Sequence, residues 1–303
     1  MDIYLPIAGQ SVNALFMIAL GFLVGILSGM FGVGGGFLTT PLLIFYGIPP
    51  TVAVASASTQ ITGASVSGVM VHMRRGGVDL KMGAVMVVGG LIGSIVGAGL
   101  FRFLQTSGQV DVVIGFLYVV ILTSIGALMF KDALVALGYL KGPPPKPQQR
   151  GHNRWVASLP LRWRFYSSGL YISPVAPLAL GFVAGILTVL LGIGGGFILV
   201  PAMIYLLGMA ARVVIGTSLV MILAVSAATT MVHALTTGAV DIVLAGLLLV
   251  GGVVGAQYGA SLAARTKPDL LRLALAVIIL IVALRMFLGL TWRPDEIFSI
   301  EYL

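Results

Sequence analysis

Two runs of Gly-X-Gly-Gly-Gly, at residues 32–36 and 192–196, interrupt otherwise apolar sequence. Consecutive glycines let the backbone take conformations closed to other residues, so a helix that reaches either run breaks there. The helix that restarts after the break has unpaired N–H groups and turns its positive dipole end toward the gap. An anion is the natural partner of such an end. Gly34, Gly35 and Gly36, with Gly194, Gly195 and Gly196, are therefore the first candidates to hold a small anion through main-chain N–H groups. The plainer reading is that they only permit tight packing, which is how Gly21, Gly25 and Gly29 read at their four-residue spacing.

A second polar group follows each break: Ser56, Ser58, Thr59, Gln60, Thr62, Ser65 and Ser67 in the first case, Thr217, Ser218, Ser226, Thr229 and Thr230 in the second. Hydroxyls and an amide can donate to an oxyanion without the desolvation cost of a fixed charge, although bonding to their own or a neighbouring helix competes. Ser56, Gln60, Thr217 and Ser218 are favoured as substrate-binding residues because they lie near the start of the helix that follows. His72 and His233 are candidates for gating or coupling, against the plainer reading of histidines bonded to backbone near helix ends. Neither makes a metal site, since two isolated histidines have no third ligand and the chain has no cysteine. The glycine runs lack the Gly-Lys-Ser/Thr continuation and the preceding strand of a nucleotide loop, so no cofactor is expected. No nucleophile with a base, paired carboxylates or metal cluster supports an enzyme.

The elements that position these residues follow from composition. Of 303 residues, 59% are hydrophobic and only 9% charged, with a mean hydropathy of +1.11. A soluble domain carries about 25% charged residues, so a water-facing surface cannot be covered, and the fold class is all-α, a polytopic integral membrane protein. Met1, Asp2 and Ile3 lack the basic start of a signal peptide, so the first apolar run is expected to stay. The net charge of +8 comes from basic residues in short loops, where the positive-inside bias puts them. Lipid headgroups are their expected partner, not nucleic acid.

The chain also reads twice. Residues 21–47, GFLVGILSGMFGVGGGFLTTPLLIFYG, align with 181–208, GFVAGILTVLLGIGGGFILVPAMIYLLG, placing Gly36 on Gly196 and Pro41 on Pro201. Gly89, Gly93 and Gly97 recur as Gly251, Gly255 and Gly259, and His72 recurs as His233. The expected domains are a first repeat at 1–131, a basic Pro-rich cytoplasmic linker at 132–173 read as extended or loosely ordered, and a second repeat at 174–303. Each repeat is expected to hold a Gly-broken hairpin, at 14–47 and 176–208, and three crossings, at 51–73, 80–102 and 110–130, then 212–234, 241–263 and 270–290. Inverted repeats put 14 Lys and Arg inside and 3 outside, and parallel ones 12 and 5, so inversion is preferred.

With these residues the chain resembles the sulfite exporter TauE/SafE family of bacterial membrane proteins. The resemblance rests on the doubled glycine segment, the proline five residues later, and the following Ala-Val-Ala-Ser (53–56) and Ile-Gly-Thr-Ser (215–218). It implies export of sulfite or a small organosulfonate, such as sulfoacetate or taurine-derived products, across the cytoplasmic membrane, and it carries over to the glycine breaks, Ser56, Thr217 and Ser218. An anion-conducting channel, or a carrier for sulfate or thiosulfate, is the alternative. The expected partners are the anion and the bilayer, and a homo-oligomer is left open.

Overall fold

The computed structural model describes residues 2–31, 35–74, 76–140, 162–263 and 268–291. A hairpin of β1 (Asp2–Leu5) and β2 (Gln10–Asn13) leads into α1 (Ala14–Phe31), α2 (Gly36–Phe45), α3 (Pro50–Arg74), α4 (Leu80–Thr106) and α5 (Val110–Ala136). The same series then repeats: β3 (Trp163–Phe165), β4 (Leu170–Ile172), α6 (Val175–Leu191), α7 (Gly196–Tyr205), α8 (Ala211–Thr236), α9 (Ile242–Ala263) and α10 (Pro268–Thr291). The chain is mostly helical, as its composition demands, with the two antiparallel hairpins as an addition. Residues 162–173, read as loosely ordered chain, end instead in a hairpin whose Phe165, Leu170 and Ile172 are buried. The proline run lies outside the described residues.

Five described helices are long and apolar enough to cross a bilayer: α4, α5 and stretches of α8, α9 and α10. Their outward faces carry exposed Phe116, Leu128, Val250, Ile281 and Leu284, a surface suited to lipid. The chain is a multi-pass membrane protein. One expected crossing departs from this pattern: α3 has the length but is not among the five. Its Ser56, Ser58, Gln60 and Ser65 are buried, so its polar side chains face other helices and need not match hydrocarbon. The short arms α2 and α7 have 10 residues each, and at 1.5 Å per residue they cannot cross.

Glycine stripes decide which helices pair. A Cβ on Gly21, Gly25 or Gly29 of α1 would strike the backbone of Leu248, Gly252 or Ala256 of α9, while Gly251, Gly255 and Gly259 lie equally close to Ile18, Phe22 and Ile26. The second copy repeats this, with Gly89, Gly93 and Gly97 of α4 against Leu178, Phe182 and Ile186 of α6. Small residues every fourth position let backbones approach closely in lipid and make Cα–H···O contacts. The first arm of each copy is thus packed parallel to a helix of the other copy. By contrast, equivalent helices run antiparallel: Gly115 and Gly126 of α5 face Leu290 and then Ile279 and Leu280 of α10, and Thr59 and Gly68 of α3 face Thr230 and Leu219 of α8.

These stripes give a stability test. In Gly93→Ala the new methyl would sit 2.9 Å from the Phe182 carbonyl carbon, whereas nothing lies within 4 Å of a methyl at Gly99. Backbone cannot yield as a side chain can, so Gly93→Ala should cost about 2–3 kcal/mol. Gly99→Ala should gain up to about 1 kcal/mol of helix propensity. Thermal unfolding of the detergent-solubilised protein checks this, and equal midpoints for the two variants would contradict the packing.

Two buried aspartates lock the copies together reciprocally. Asp79 caps α4, its Oδ1 accepting from Met82 N at 3.0 Å, and Asp241 caps α9, its Oδ1 accepting from Leu244 N at 3.1 Å. Each Oδ2 holds the other copy's hairpin turn. Ser168 donates to Asp79 from N at 3.0 Å and from Oγ at 2.6 Å, and Ile7 N donates to Asp241 at 3.2 Å.

Candidate functional site

The second break is held by side chains from two other helices, α5 and α8. Gly192, Gly194 and Gly195 have φ of 66°, 71° and 74°, left-handed values that exclude most side chains. They end α6 at Leu191 and restart the chain as α7 at Gly196. The last carbonyls of a helix have no partner within it, and here side chains supply them. Tyr118 donates its hydroxyl to Leu191 O at 2.5 Å, and His233 Nε2 lies 3.1 Å from Val189 O. A carbonyl only accepts, so the proton of His233 is assigned to Nε2. The His233 ring is buried and meets Phe101 edge-on, with centroids 4.8 Å apart.

The first break meets the second directly. Phe37 and Phe197, the second residues of α2 and α7, stack with centroids 4.6 Å apart and planes 8° from parallel. A Cβ on Gly36 would come within 2.7 Å of Gly192 O and would also strike Ile61. Ile61 reaches across to Gly194 as well, where Ile222, its equivalent on α8, completes the wall. The two short arms therefore present their N-terminal ends to one another.

The arms are chemically unequal. Thr39 Oγ1 lies 3.1 Å from Gly35 O and 3.1 Å from Gln60 Oε1, and the Gln60 amide packs where Gly252 lacks a side chain. The equivalents of Thr39, Thr40 and Gln60 in the second copy are Leu199, Val200 and Met221. Gly35 has φ −55°, an ordinary right-handed value, unlike Gly195.

The other sequence-selected residues fall as follows. Gly34 lies outside the described residues, and Gly35, Gly36, Gln60, Gly194, Gly195 and Gly196 are brought to the meeting of the breaks. Ser56 Oγ accepts from Asp241 N at 3.2 Å and Thr217 Oγ1 from Asp79 N at 2.9 Å, which places both at the caps of the other copy's helices. Ser218 Oγ donates to Ile215 O at 3.0 Å. Half-buried His72 sits at the end of α3, and buried His233 braces the second break.

Thr39, Thr40, Tyr118, Asp79 and Asp241 were not selected from the sequence. For the aspartates a signal existed, since each follows a valine at the same place in its copy, Val78-Asp79 and Val240-Asp241. Among the described residues no cluster of three metal-ligating side chains occurs.

Comparison with known proteins agrees with this architecture. A family model described as sulfite exporter TauE/SafE matches residues 17–286. A probable membrane transporter protein of Bacillus subtilis, YjnA, is 28% identical over 275 residues, 89% of this chain and 98% of the relative. A second from the same organism, YunE, is 26% identical over 282 residues, 89% of this chain and 96% of the relative. A sulfite exporter TauE/SafE family protein of Arabidopsis thaliana is 33% identical over 92 residues, 29% of this chain and 20% of the relative. No solved structure matches. With nearly the whole membrane bundle inside the family match, the chain belongs to the sulfite exporter TauE/SafE family of membrane transporters, which are not enzymes.

Proposed function

We propose that this protein exports sulfite or a small organosulfonate anion across the bacterial cytoplasmic membrane, binding it where the two glycine breaks meet. The observation that carries this reading is the juxtaposition of two short helices, α2 and α7, whose N-terminal ends face each other at the Phe37–Phe197 stack. Backbone N–H groups and hydroxyls attract an anion there without a buried cation, which broken half-helices do near the midplane of inverted-repeat transporters. The buried carboxylates Asp79 and Asp241 sit away from the breaks, at helix caps. Counterflow tests the reading: proteoliposomes preloaded with unlabelled sulfite should accumulate labelled sulfite transiently, with a saturable rate. Flux that never saturates would make the protein a channel, and counterflow only with sulfate or thiosulfate would change the substrate.

The two repeats, 1–131 and 174–303, are joined by a cytoplasmic linker at 132–173 and inverted across the membrane. The antiparallel course of α3 with α8 and of α5 with α10 supports this. Gly76→Cys, at an exposed turn position with open space around it, and Thr237→Cys should then label from opposite sides, the first from the cytoplasm, and labelling from one side would contradict inversion.

A further inference from the structure

The geometry points to a hydroxyl subsite on α8, made by Ser226 and Thr229, that takes the oxygens of the anion on the second copy's side of the breaks. The proposal rests on the transport reading above and adds where, and through which side chains, the oxyanion is held.

Both residues are fully buried, and neither Ser226 Oγ nor Thr229 Oγ1 has a hydrogen-bond partner. Three other buried helical hydroxyls behave differently. Ser58 donates to Val54 O at 2.9 Å, Ser94 to Gly90 O at 2.9 Å and Thr188 to Ala184 O at 2.7 Å. Such back-bonding is the ordinary refuge of a hydroxyl in a helix, and Ser226 and Thr229 do not take it. An unsatisfied buried polar group is rare and costly enough to want a reason.

Their placement supplies one. Ser226 Oγ lies 3.3 Å from where a Cβ on Gly194 would stand, so the hydroxyl faces the left-handed turn of the break. Thr229 follows one turn later, on the same helix face, between Ser226 and His233, whose ring reaches Val189 O. Two hydroxyls with unused protons therefore lie alongside residues 189–194, next to the start of α7. Thr40 Oγ1 approaches from the other copy, beside the Tyr118 hydroxyl but without full hydrogen-bond geometry to it. It faces Gly192, 3.2 Å from where a Cβ there would stand.

The subsite is asymmetric. In the first copy Ser226 and Thr229 correspond to Ser65 and Gly68, so the paired hydroxyls exist once per chain. One anion per chain follows, held nearer the second break. Ile61, Ile222, Phe37 and Phe197 wall the region.

The test uses the purified 303-residue chain in lipid nanodiscs, with sulfite, sulfoacetate, sulfate and thiosulfate as probes, reading equilibrium binding and the thermal midpoint. The variants are Ser226→Ala, Thr229→Val and, as a control, Ser94→Ala. The subsite requires a stoichiometry of one and a loss of affinity of roughly tenfold or more in Ser226→Ala and in Thr229→Val, the scale of a lost hydrogen bond to a charged group. Their thermal midpoints without ligand should stay level or rise, because an apolar group of similar shape replaces an unpaired hydroxyl. Ser94→Ala should keep its affinity. Wild-type affinity in both α8 variants would overturn the subsite while leaving the transport reading intact. A fall in unliganded midpoint with unchanged affinity would also overturn it, assigning the hydroxyls to packing. If the wild type binds only sulfate or thiosulfate and the variants lose that binding, the subsite stands and the choice of sulfite falls. No binding by the wild type to any probe would overturn both.

Discussion

Gly195→Leu should all but abolish anion flux, by about 100-fold or more, while leaving the protein inserted and largely folded. Position 195 has φ of 74°, and a Cβ there would stand 3.2 Å from that of Ala184. A left-handed conformation costs an ordinary residue about 1–2 kcal/mol, so the turn relaxes toward a right-handed one. The first N–H groups of α7 then point elsewhere. Losing two hydrogen bonds to a charged ligand, at about 1.5 kcal/mol or more each, accounts for the expected loss. The equivalent glycine of the first copy, changed to the smaller alanine, is a contrast. Gly35 has φ −55°, and its Cβ would meet a Val24 side-chain methyl at 2.7 Å, an obstacle that can move, so Gly35→Ala should keep measurable flux. Transport assays on equal amounts of reconstituted protein decide it. Normal flux from Gly195→Leu would remove the second break from the site.

The breaks and the glycine stripes were legible because their spacing has few structural meanings. A triplet of glycines after an apolar arm has to interrupt it, and small residues every fourth position have to face another backbone. The identity of that backbone was not legible. Gly21, Gly25 and Gly29 could have packed within their own copy, and only the fold shows them on α9. The hairpins were hidden by length, since strands of four and three residues carry little alternation. Asp79 and Asp241 were passed over because they stand at helix ends, and nothing local reveals that both are buried and hold the opposite copy's hairpin. His233 was visible as an intramembrane polar group, but its bond to Val189 O depends on a helix that ends 42 residues earlier in the chain, at Leu191. Thr39 and Thr40 passed unnoticed because their equivalents, Leu199 and Val200, are apolar. Aligning two copies brings out what they share, and the chemistry of the breaks lies partly in what they do not.

The second large effect is on driving force. Moving one elementary charge through the membrane potential is worth about 2.3 kcal/mol per 100 mV. At about 1.4 kcal/mol per tenfold ratio, that sustains nearly two decades of outward concentration gradient for a monovalent anion. A negative interior drives anions outward, so export needs no dedicated proton or sodium site. The buried carboxylates of the described structure agree with this, since Asp79 and Asp241 are committed to caps and hairpins. His233 is committed to Val189 O, so on this account it braces the break and is not expected to carry a coupling proton. The measurement is sulfite flux from proteoliposomes at clamped potential, with equal pH and equal sodium on both sides. Outward flux that rises steeply as the interior is made negative, with no ion gradient present, is the predicted result. Flux indifferent to voltage but dependent on a proton or sodium gradient would contradict the account.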